Sequence, residues 1–316
     1  MAISIGWFAI AIGSVCLVAR SVSFTDHFWI LAACAVPFVC FAGPIAAAAL
    51  ALAKRWVVLT IACVLFALLS APYARVAVTR PGQRGEQAVV VMTFNMRLGS
   101  ANAGDVLQQA RSHGVGLLML QEMTPDALHR LRAAGIDNQF GFRYVLPYQG
   151  GSGLGLFSRY PLTNSRSYNG FLNQVMSATV ALPSGQHLTA FSSHLSAPWP
   201  QDASEWKSES ARLGSTLGAT SGAVIDAGDF NATTSFRAFR DLVTSGDVAD
   251  AATQVGAVTL RTFPADSRQV PPLIGIDHVL VRDLSAFSAY SVRIRGSDHQ
   301  ALITILSVAA AAASQN

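Results

Sequence analysis

Five apolar, strand-like runs end or begin in residues that bind metals or move protons. These are Thr93-Phe94-Asn95, Gln121-Glu122, Ser193-His194, Gly228-Asp229-Phe230-Asn231 and Ser297-Asp298-His299. Glu122, Asp229, Asp298, Asn95 and Asn231 carry the carboxylate and amide oxygens that hard divalent cations such as Mg²⁺ choose, usually together with substrate phosphate and water. His194 and His299 add imidazoles that can donate a proton or hydrogen-bond a phosphate oxygen without a metal of their own. Such a set suits phosphoryl transfer to water, which needs mostly charge neutralisation and an aligned nucleophile. Each ending alone has a plainer reading. Asp229 and Asn231 can form an Asx turn, Glu122 can cap a helix before Thr124-Pro125, and His194 can be structural. His113 and His129 read as helix-surface residues and His187 as a turn residue; His278 is open between supporting the site and packing. Recurrence at five strand edges points to one site.

The elements that must position these residues follow from the flanking pattern. Residues 88–94 are a β-branched run, 104–113 carry Val106, Leu107 and Ala110 at helical spacing, and 116–120 are apolar again. That is a strand, helix, strand unit, in which the two strands run parallel. Asn95 and Glu122 therefore leave the same sheet edge, where open α/β sheets hold their ligands. Later strands are expected at 153–157, 176–182, 187–192, 223–227, 277–281 and 301–306, and helices at 204–217 and 235–243. Many strands with few helices imply two packed sheets with helices outside.

The remainder of the chain is unusually apolar. Of its 316 residues 51% are hydrophobic, and the mean hydropathy is +0.39. Stretches at 3–19, 28–53 and 56–74 account for the excess, and each is long enough to cross a hydrocarbon core of about 30 Å as a helix. The first lacks the basic start of a secretory signal and reads as a retained anchor; Pro37 and Pro44 should kink the second. The expected division is a three-helix transmembrane anchor at 1–77, a Pro, Gly and Arg-rich linker at 78–87, a globular unit at 88–308 and a small-residue tail at 309–316. Lys54 and Arg55, in the turn between the second and third spans, suggest a cytoplasmic turn and hence a globular unit outside. Arg20, Arg75, Arg80 and Arg84 on the opposite side argue the reverse by simple count. All four cysteines, Cys16, Cys34, Cys40 and Cys63, lie in the apolar stretches, so the globular unit has neither disulfide framework nor thiol metal site. From Val78 onward the chain holds 18 basic and 17 acidic residues. That near-neutrality argues against a general nucleic-acid binder.

In their order, Asn95, Gln121-Glu122, Gly228-Asp229-Phe230-Asn231, Ile276-Asp277 and Ser297-Asp298-His299 resemble the endonuclease/exonuclease/phosphatase superfamily, which includes DNase I and the neutral sphingomyelinases. Residues 153–162 resemble the strand and turn that precede its middle motif, and the resemblance spans about 89–306. It implies a four-layer α/β sandwich, preceded here by three transmembrane helices, with a Mg²⁺-dependent site between the sheets and Mn²⁺ as the alternative ion. By this resemblance Glu122 binds the metal with Asn95 near it, Asp229 orients the water and Asn231 holds the scissile phosphate. His299 contacts or protonates the phosphate, Asp277 fixes its ring, Asp298 helps hold metal or water, and His194 stabilises the transition state. Gly275 and His278 depart from the superfamily, which frequently has Arg and Tyr there.

Two sequence features favour a lipid-linked phosphate over DNA: the neutral globular unit and its short tether to apolar helices. Trp199, with Pro198, Pro200 and Trp206 after His194, and Pro271, Pro272 and Leu273 before Asp277, can form an apolar lip near the site, Trp199 touching substrate; the alternative is that the tryptophans cap the sandwich. A groove lined by Arg143, Arg159 and Arg261 would instead favour nucleic acid. The architecture also resembles a bacterial branch associated with teicoplanin resistance (VanJ-type), which is linked to removal of phosphate from undecaprenyl pyrophosphate. The expected protein is therefore a multi-pass bacterial membrane phosphatase whose globular unit is extracytoplasmic. A membrane-tethered nuclease, a sphingomyelinase-like phosphodiesterase and a non-enzymatic membrane module are the alternatives. No protein partner follows from the sequence.

Overall fold

The computed structural model describes residues 2–77, 88–200, 203–257, 259–266 and 270–308. The expected linker at 78–87 and tail at 309–316 lie outside the described residues.

Three helices come first: α1 (Ala2–Ser21), α2 (His27–Leu52) and α3 (Trp56–Ala77). Asp26 starts α2 by accepting a 2.8 Å hydrogen bond from the Phe28 backbone N–H, the usual way to satisfy an orphan donor of the first turn. Pro37 and Pro44 lie inside α2, and its two parts, His27–Cys40 and Ala42–Leu52, meet at 61°. Proline removes a helical hydrogen bond and clashes with the preceding turn, which is the expected cause of a kink. Helices α1 and α3 are each long and apolar enough to cross a membrane, and the bent α2 makes a third if counted as one span. Phe8, Ile45, Leu52 and Val57 face outward, a surface that suits hydrocarbon far better than water.

Two six-stranded sheets follow. The first has the order β11-β12-β1-β2-β4-β3, from β1 (Ala88–Asn95), β2 (Leu117–Gln121), β3 (Phe142–Leu146), β4 (Leu154–Ser158), β11 (Leu284–Arg293) and β12 (Gln300–Val308). The second has the order β5-β6-β7-β8-β10-β9, from β5 (Leu162–Tyr168), β6 (Gln174–Ala181), β7 (His187–His194), β8 (Val224–Asp229), β9 (Ala249–Asp250) and β10 (Asp277–Arg282). Val91, Met119, Leu156, Ala190, Ile225, Val279 and Leu302 belong to the apolar layer between the sheets. Helices α4 (Ala103–Ser112) and α5 (Pro125–Ala133), with the short α6 (Ile136–Gln139), cover the first sheet; α7 (Ala203–Gly218) and α8 (Arg237–Ser245) cover the second, and the one-turn α9 (Ala251–Gln254) follows β9. The result is the expected four-layer α/β sandwich.

The two sheets are built alike. Each has one parallel pair at its centre, β1 with β2 and β7 with β8, joined by α4 and α7 respectively. Parallel neighbours end at the same sheet edge, so Asn95 and Gln121 finish together in one sheet and His194 and Asp229 in the other. Strands β12 and β10 run antiparallel to β1 and β8. Their beginnings therefore meet the same edge, with Asp277 directly opposite Asp229. Gly228 is required here, because a Cβ would lie 1.8 Å from the Ser193 carbonyl oxygen.

The structure adds strands β3, β5, β9 and β11 and helices α6 and α9 to those expected, and gives α5, the helix implied at His129, its bounds. Strand β5 exposes most of its residues and sits at a sheet edge, where no apolar run is needed; β11 carries a register shift between Ala286 and Ser288 that breaks its alternation. His187 opens β7 instead of lying in the turn before it.

Candidate active site

The site forms where the two central parallel pairs end. Asp229 Oδ2 is its hub: Asn95 Nδ2 donates to it at 3.0 Å, His299 Nε2 stands at 3.7 Å and His194 Nε2 at 3.8 Å. The same Asn95 amide donates to Glu122 Oε1 at 2.9 Å, and His194 Nε2 is 4.0 Å from that oxygen. One amide and one imidazole thus hold two carboxylates side by side. The second Glu122 oxygen accepts from the Leu98 backbone N–H at 2.6 Å. Helix α5 is capped by Thr124, whose hydroxyl accepts from Ala127 N–H at 3.1 Å, so Glu122 is not a helix cap.

Local backbone geometry aims these groups. Glu122 and Asn231 both have left-handed backbone, at φ 55° and 49°. Such conformations are uncommon for residues other than glycine and persist where surrounding contacts over-determine them. Asn231 N–H donates to Asp229 Oδ1 at 2.9 Å, so the Asx turn does form. It leaves Oδ2, the hub oxygen, turned to the other site residues. On β12's approach, the Ser297 hydroxyl donates to the Asn95 carbonyl at 2.8 Å and accepts from His299 N–H at 3.0 Å. This ties the His299 loop to the end of β1.

His299 and Asp277 form a buried pair, with Nδ1 2.9 Å from Oδ2. Burial works against charge on the His299 ring, but Asp277 first, then Asp229 and Asp298, outweigh it and lift its pKa to about 10. The ring is therefore an imidazolium at neutral pH, with Nε2–H facing Asp229. Burial pushes the Asp229 carboxyl up, opposed by His299 and His194, while Asp277 adds to the rise. His194 is oriented differently. Its Nδ1 donates to the Gly151 carbonyl at 3.0 Å, which leaves Nε2 facing the site, 3.4 Å from Asn173 Nδ2.

Asp229, Asp277 and His299 bring their ligand atoms within 4.8 Å of one another. A cation on His299 Nε2 would have to displace the proton that the imidazolium carries there at neutral pH. Glu122 and Asp298 are better placed, with side chains 18% and 27% exposed. Glu122 Oε1 and Asp229 Oδ2 also lie about 3 Å from one amide nitrogen, an all-oxygen arrangement that fits a hard divalent ion. Asp298 Oδ2 stands 3.7 Å from Arg97 Nε. Asn95 turns its N–H toward the carboxylates, and its oxygen accepts from Arg97 N–H at 2.9 Å. As oriented its amide N–H group spaces the Glu122 and Asp229 carboxylates, and its oxygen is turned toward the Arg97 backbone. Asn231 Nδ2 donates to the Leu195 carbonyl at 2.9 Å.

The expected apolar lip is only partly present. Trp199 is 51% exposed and packs edge-on against His27 of α2, ring centres 4.5 Å apart. Trp206 is buried, its indole N–H donating to the Phe230 carbonyl at 3.0 Å; it lies on the inner face of α7 and cannot be a lip. Pro198 is buried also. His278 faces away from the hub, under Phe239, with Nδ1 2.6 Å from Asp250 and Nε2 donating to the Ala232 carbonyl at 2.9 Å. Burial opposes charge on both partners, yet their mutual attraction raises His278 and lowers Asp250. His278 thus braces the loop that carries Asn231.

Sequence reasoning missed three supporting residues. Asn173 reaches His194 and also donates to Leu195 carbonyl at 3.3 Å. Glu209, fully buried on α7, accepts from Ser196 N–H at 2.7 Å and from Leu172 N–H, so it clamps the loops on either side of His194. Arg97 meets Asp298. None stands at the end of an apolar run, which was the signal that found the others.

The fold recurs among solved structures. Over 70% of this chain and 99% of the other it superposes on a humanized Danio rerio TDP2 with TM-score 0.59 at 15% identity. An endonuclease/exonuclease/phosphatase from Bacteroides vulgatus gives TM-score 0.56 at 16% identity, over 71% of this chain and 100% of that one. Sphingomyelinase C from Streptomyces griseocarneus gives 0.50 at 15% identity, over 69% and 99%. No curated protein matches the chain in sequence. The signature of the Endonuclease/Exonuclease/phosphatase family matches residues 92–299, from within β1 to the buried His299. The chain belongs to that family.

Proposed function

We propose that this protein is a membrane-anchored, Mg²⁺-dependent phosphohydrolase acting on a lipid-linked phosphate, best matched by a polyprenyl pyrophosphate at the outer face of a bacterial membrane. The observation that carries the lipid reading is the contact of Trp199 with His27. Five residues beyond His194, the chain rests on the first turn of a helix apolar enough to enter a membrane. Lys207 Nζ donating to the Ser23 carbonyl at 3.1 Å and Tyr73 meeting Ser235 at 2.5 Å hold the same face to the bundle. Nucleic acid is disfavoured by the arginines. Arg143 pairs with Asp137 at 3.0 Å, Arg159 follows the end of β4 that pairs with the start of β2, away from the site, and Arg261 lies over Phe38.

In this reading Glu122 and Asp298 hold the ion and Asn95 sets the spacing of Glu122 from Asp229. The bound ion supplies charge neutralisation at the phosphoryl oxygens. Asp229 takes the proton of the attacking water, and its burial makes it a stronger base than an exposed carboxylate. His299 donates from Nε2 to the phosphate, Asp277 keeping the ring charged and oriented. His194 and the second amide N–H of Asn231 bind phosphate oxygens, and Trp199 touches the lipid.

The full-length protein in detergent with Mg²⁺, offered polyprenyl pyrophosphate, sphingomyelin and duplex DNA in parallel, should release inorganic phosphate from the first. DNA cleavage without phosphate release would establish the tethered nuclease instead, and phosphocholine release the phosphodiesterase. For orientation, a chain with its four cysteines changed to Ala and with Ser184→Cys should react with an impermeant maleimide added outside intact cells; labelling only after lysis would reverse the topology.

A further inference from the structure

A cavity of about 450 Å³ lies between the helical bundle and the second sheet's helices, within the size range of ligand sites. Pro37, Pro72 and Val76 form its bundle wall and Val243, Val248 and Ile274 face them from the globular unit. Three guanidinium-bearing residues, Arg20, Arg240 and Arg261, line it as well. Its two carboxylates are both occupied, Asp250 by His278 at 2.6 Å and Asp277 by His299 at 2.9 Å. Arg240 spends its donors on backbone carbonyls of Thr234, Ser235 and Arg20. Burial, then Arg20 and Arg237, push its pKa down to about 10, as expected where positive charge is crowded. Arg20 Nη1 is buried with no hydrogen-bond partner, an arrangement that is costly unless a ligand supplies the acceptor.

Position within the bundle narrows the ligand. Arg20 stands in the last turn of α1, and Tyr73 lies beneath its guanidinium near the end of α3, 5.4 Å from ring centre to Cζ. Arg and Tyr at the ends of apolar helices mark the head-group level of a bilayer. A guanidinium with a buried, unsatisfied Nη1 at that level beside an apolar wall matches an amphiphile with one anionic head. We propose that this cavity binds a membrane lipid with a phosphate-bearing head group, its chain between the bundle and the globular unit and its phosphate on Arg20 and Arg261. The cavity touches the site at Asp277, which backs His299, but the binding proposed here does not rest on the reaction assigned above.

Native mass spectrometry of the delipidated full-length protein, incubated separately with dioleoyl phosphatidic acid, dioleoylglycerol and inorganic phosphate, tests this. One phosphatidic acid per chain should be retained, with dioleoylglycerol held about a hundredfold more weakly, the effect of two lost charge-assisted contacts. Arg20→Gln should weaken phosphatidic acid binding by about tenfold on the same basis, and Ala252→Phe, which fills the cavity, should abolish it. Equal retention by wild type and both variants, or displacement of the lipid by inorganic phosphate alone, would overturn the proposal. Turnover of a water-soluble phosphoester should be unchanged in both variants. A wild-type chain that binds the lipid but hydrolyses no ester would sink the hydrolase reading alone.

Discussion

Replacing Asp277 by Asn should turn His299 from a charged donor into a neutral ring at alkaline pH. The two side chains are both buried, and Asp277 Oδ2 is 2.9 Å from His299 Nδ1. An Asn oxygen can still accept from Nδ1–H, so the variant removes charge while keeping the ring's orientation. Burial opposes the imidazolium and Asp277 is the foremost of the groups that lift it to about 10. Without that carboxylate Asp229 and Asp298 remain to offset burial, and with those in balance the pKa returns to about 6.5, the value of a free imidazole. At pH 8 the protonated fraction then drops to about 3%, a loss of about thirtyfold in rate, whereas at pH 5.5 about nine rings in ten stay charged. The assay is kcat/KM on a soluble phosphoester from pH 5.5 to 9 at saturating Mg²⁺. Wild type should keep its donor across this range, since His299 loses its proton only near pH 10. A loss of the same size at every pH would mean that Asp277 only positions the ring. No loss at all would remove His299 from the reaction.

Asp226 carries a second pH effect, on stability. Burial raises its pKa to about 7, and the Ser193 hydroxyl only partly offsets this; its other oxygen has no partner. Because the folded chain holds this proton more tightly than the unfolded one, stability should fall as pH rises from about 4 through about 7, by up to about 4 kcal/mol. Urea denaturation of Asp226→Asn should match wild type at pH 4 and exceed it at pH 8; parallel curves for the two proteins would refute the assignment. Glu209→Gln leaves either Ser196 or Leu172 N–H facing an amide NH2 with no acceptor, at about 1–3 kcal/mol. Its kcat should fall about tenfold, the rate equivalent of about 1.4 kcal/mol, because the loops flanking His194 loosen. An unchanged kcat would show that the clamp does not serve the site.

The hub was legible because strands that end at one sheet edge stop in residues of a single chemical character. Asn95, Glu122, His194, Asp229 and His299 all follow or precede apolar runs, and the β1-α4-β2 unit could be read from spacing. What could not be read were groups whose role is decided by distant chain. Glu209 looks like any helix carboxylate until loops 172 and 196 close over it, and Asn173 sits in a segment without periodicity. For Trp206, nearness to His194 in sequence left lip and cap both open, and helix α7 turns it inward. Strand β5 hid for the opposite reason: at an edge, Leu162–Tyr168 can remain polar and exposed. His278 was resolved only by Asp250, a partner 28 residues away.

The central claim is a metal-dependent centre that cuts a lipid-linked phosphate. Its most direct test is inorganic phosphate released from polyprenyl pyrophosphate by the full-length protein as free Mg²⁺ is raised, for wild type and Glu122→Gln. The account predicts release that needs the ion, and a fall of about a hundredfold in Glu122→Gln, the effect of removing one stabilising contact to developing charge. Release that persists in a chelator, or is equal in the two proteins, would contradict it.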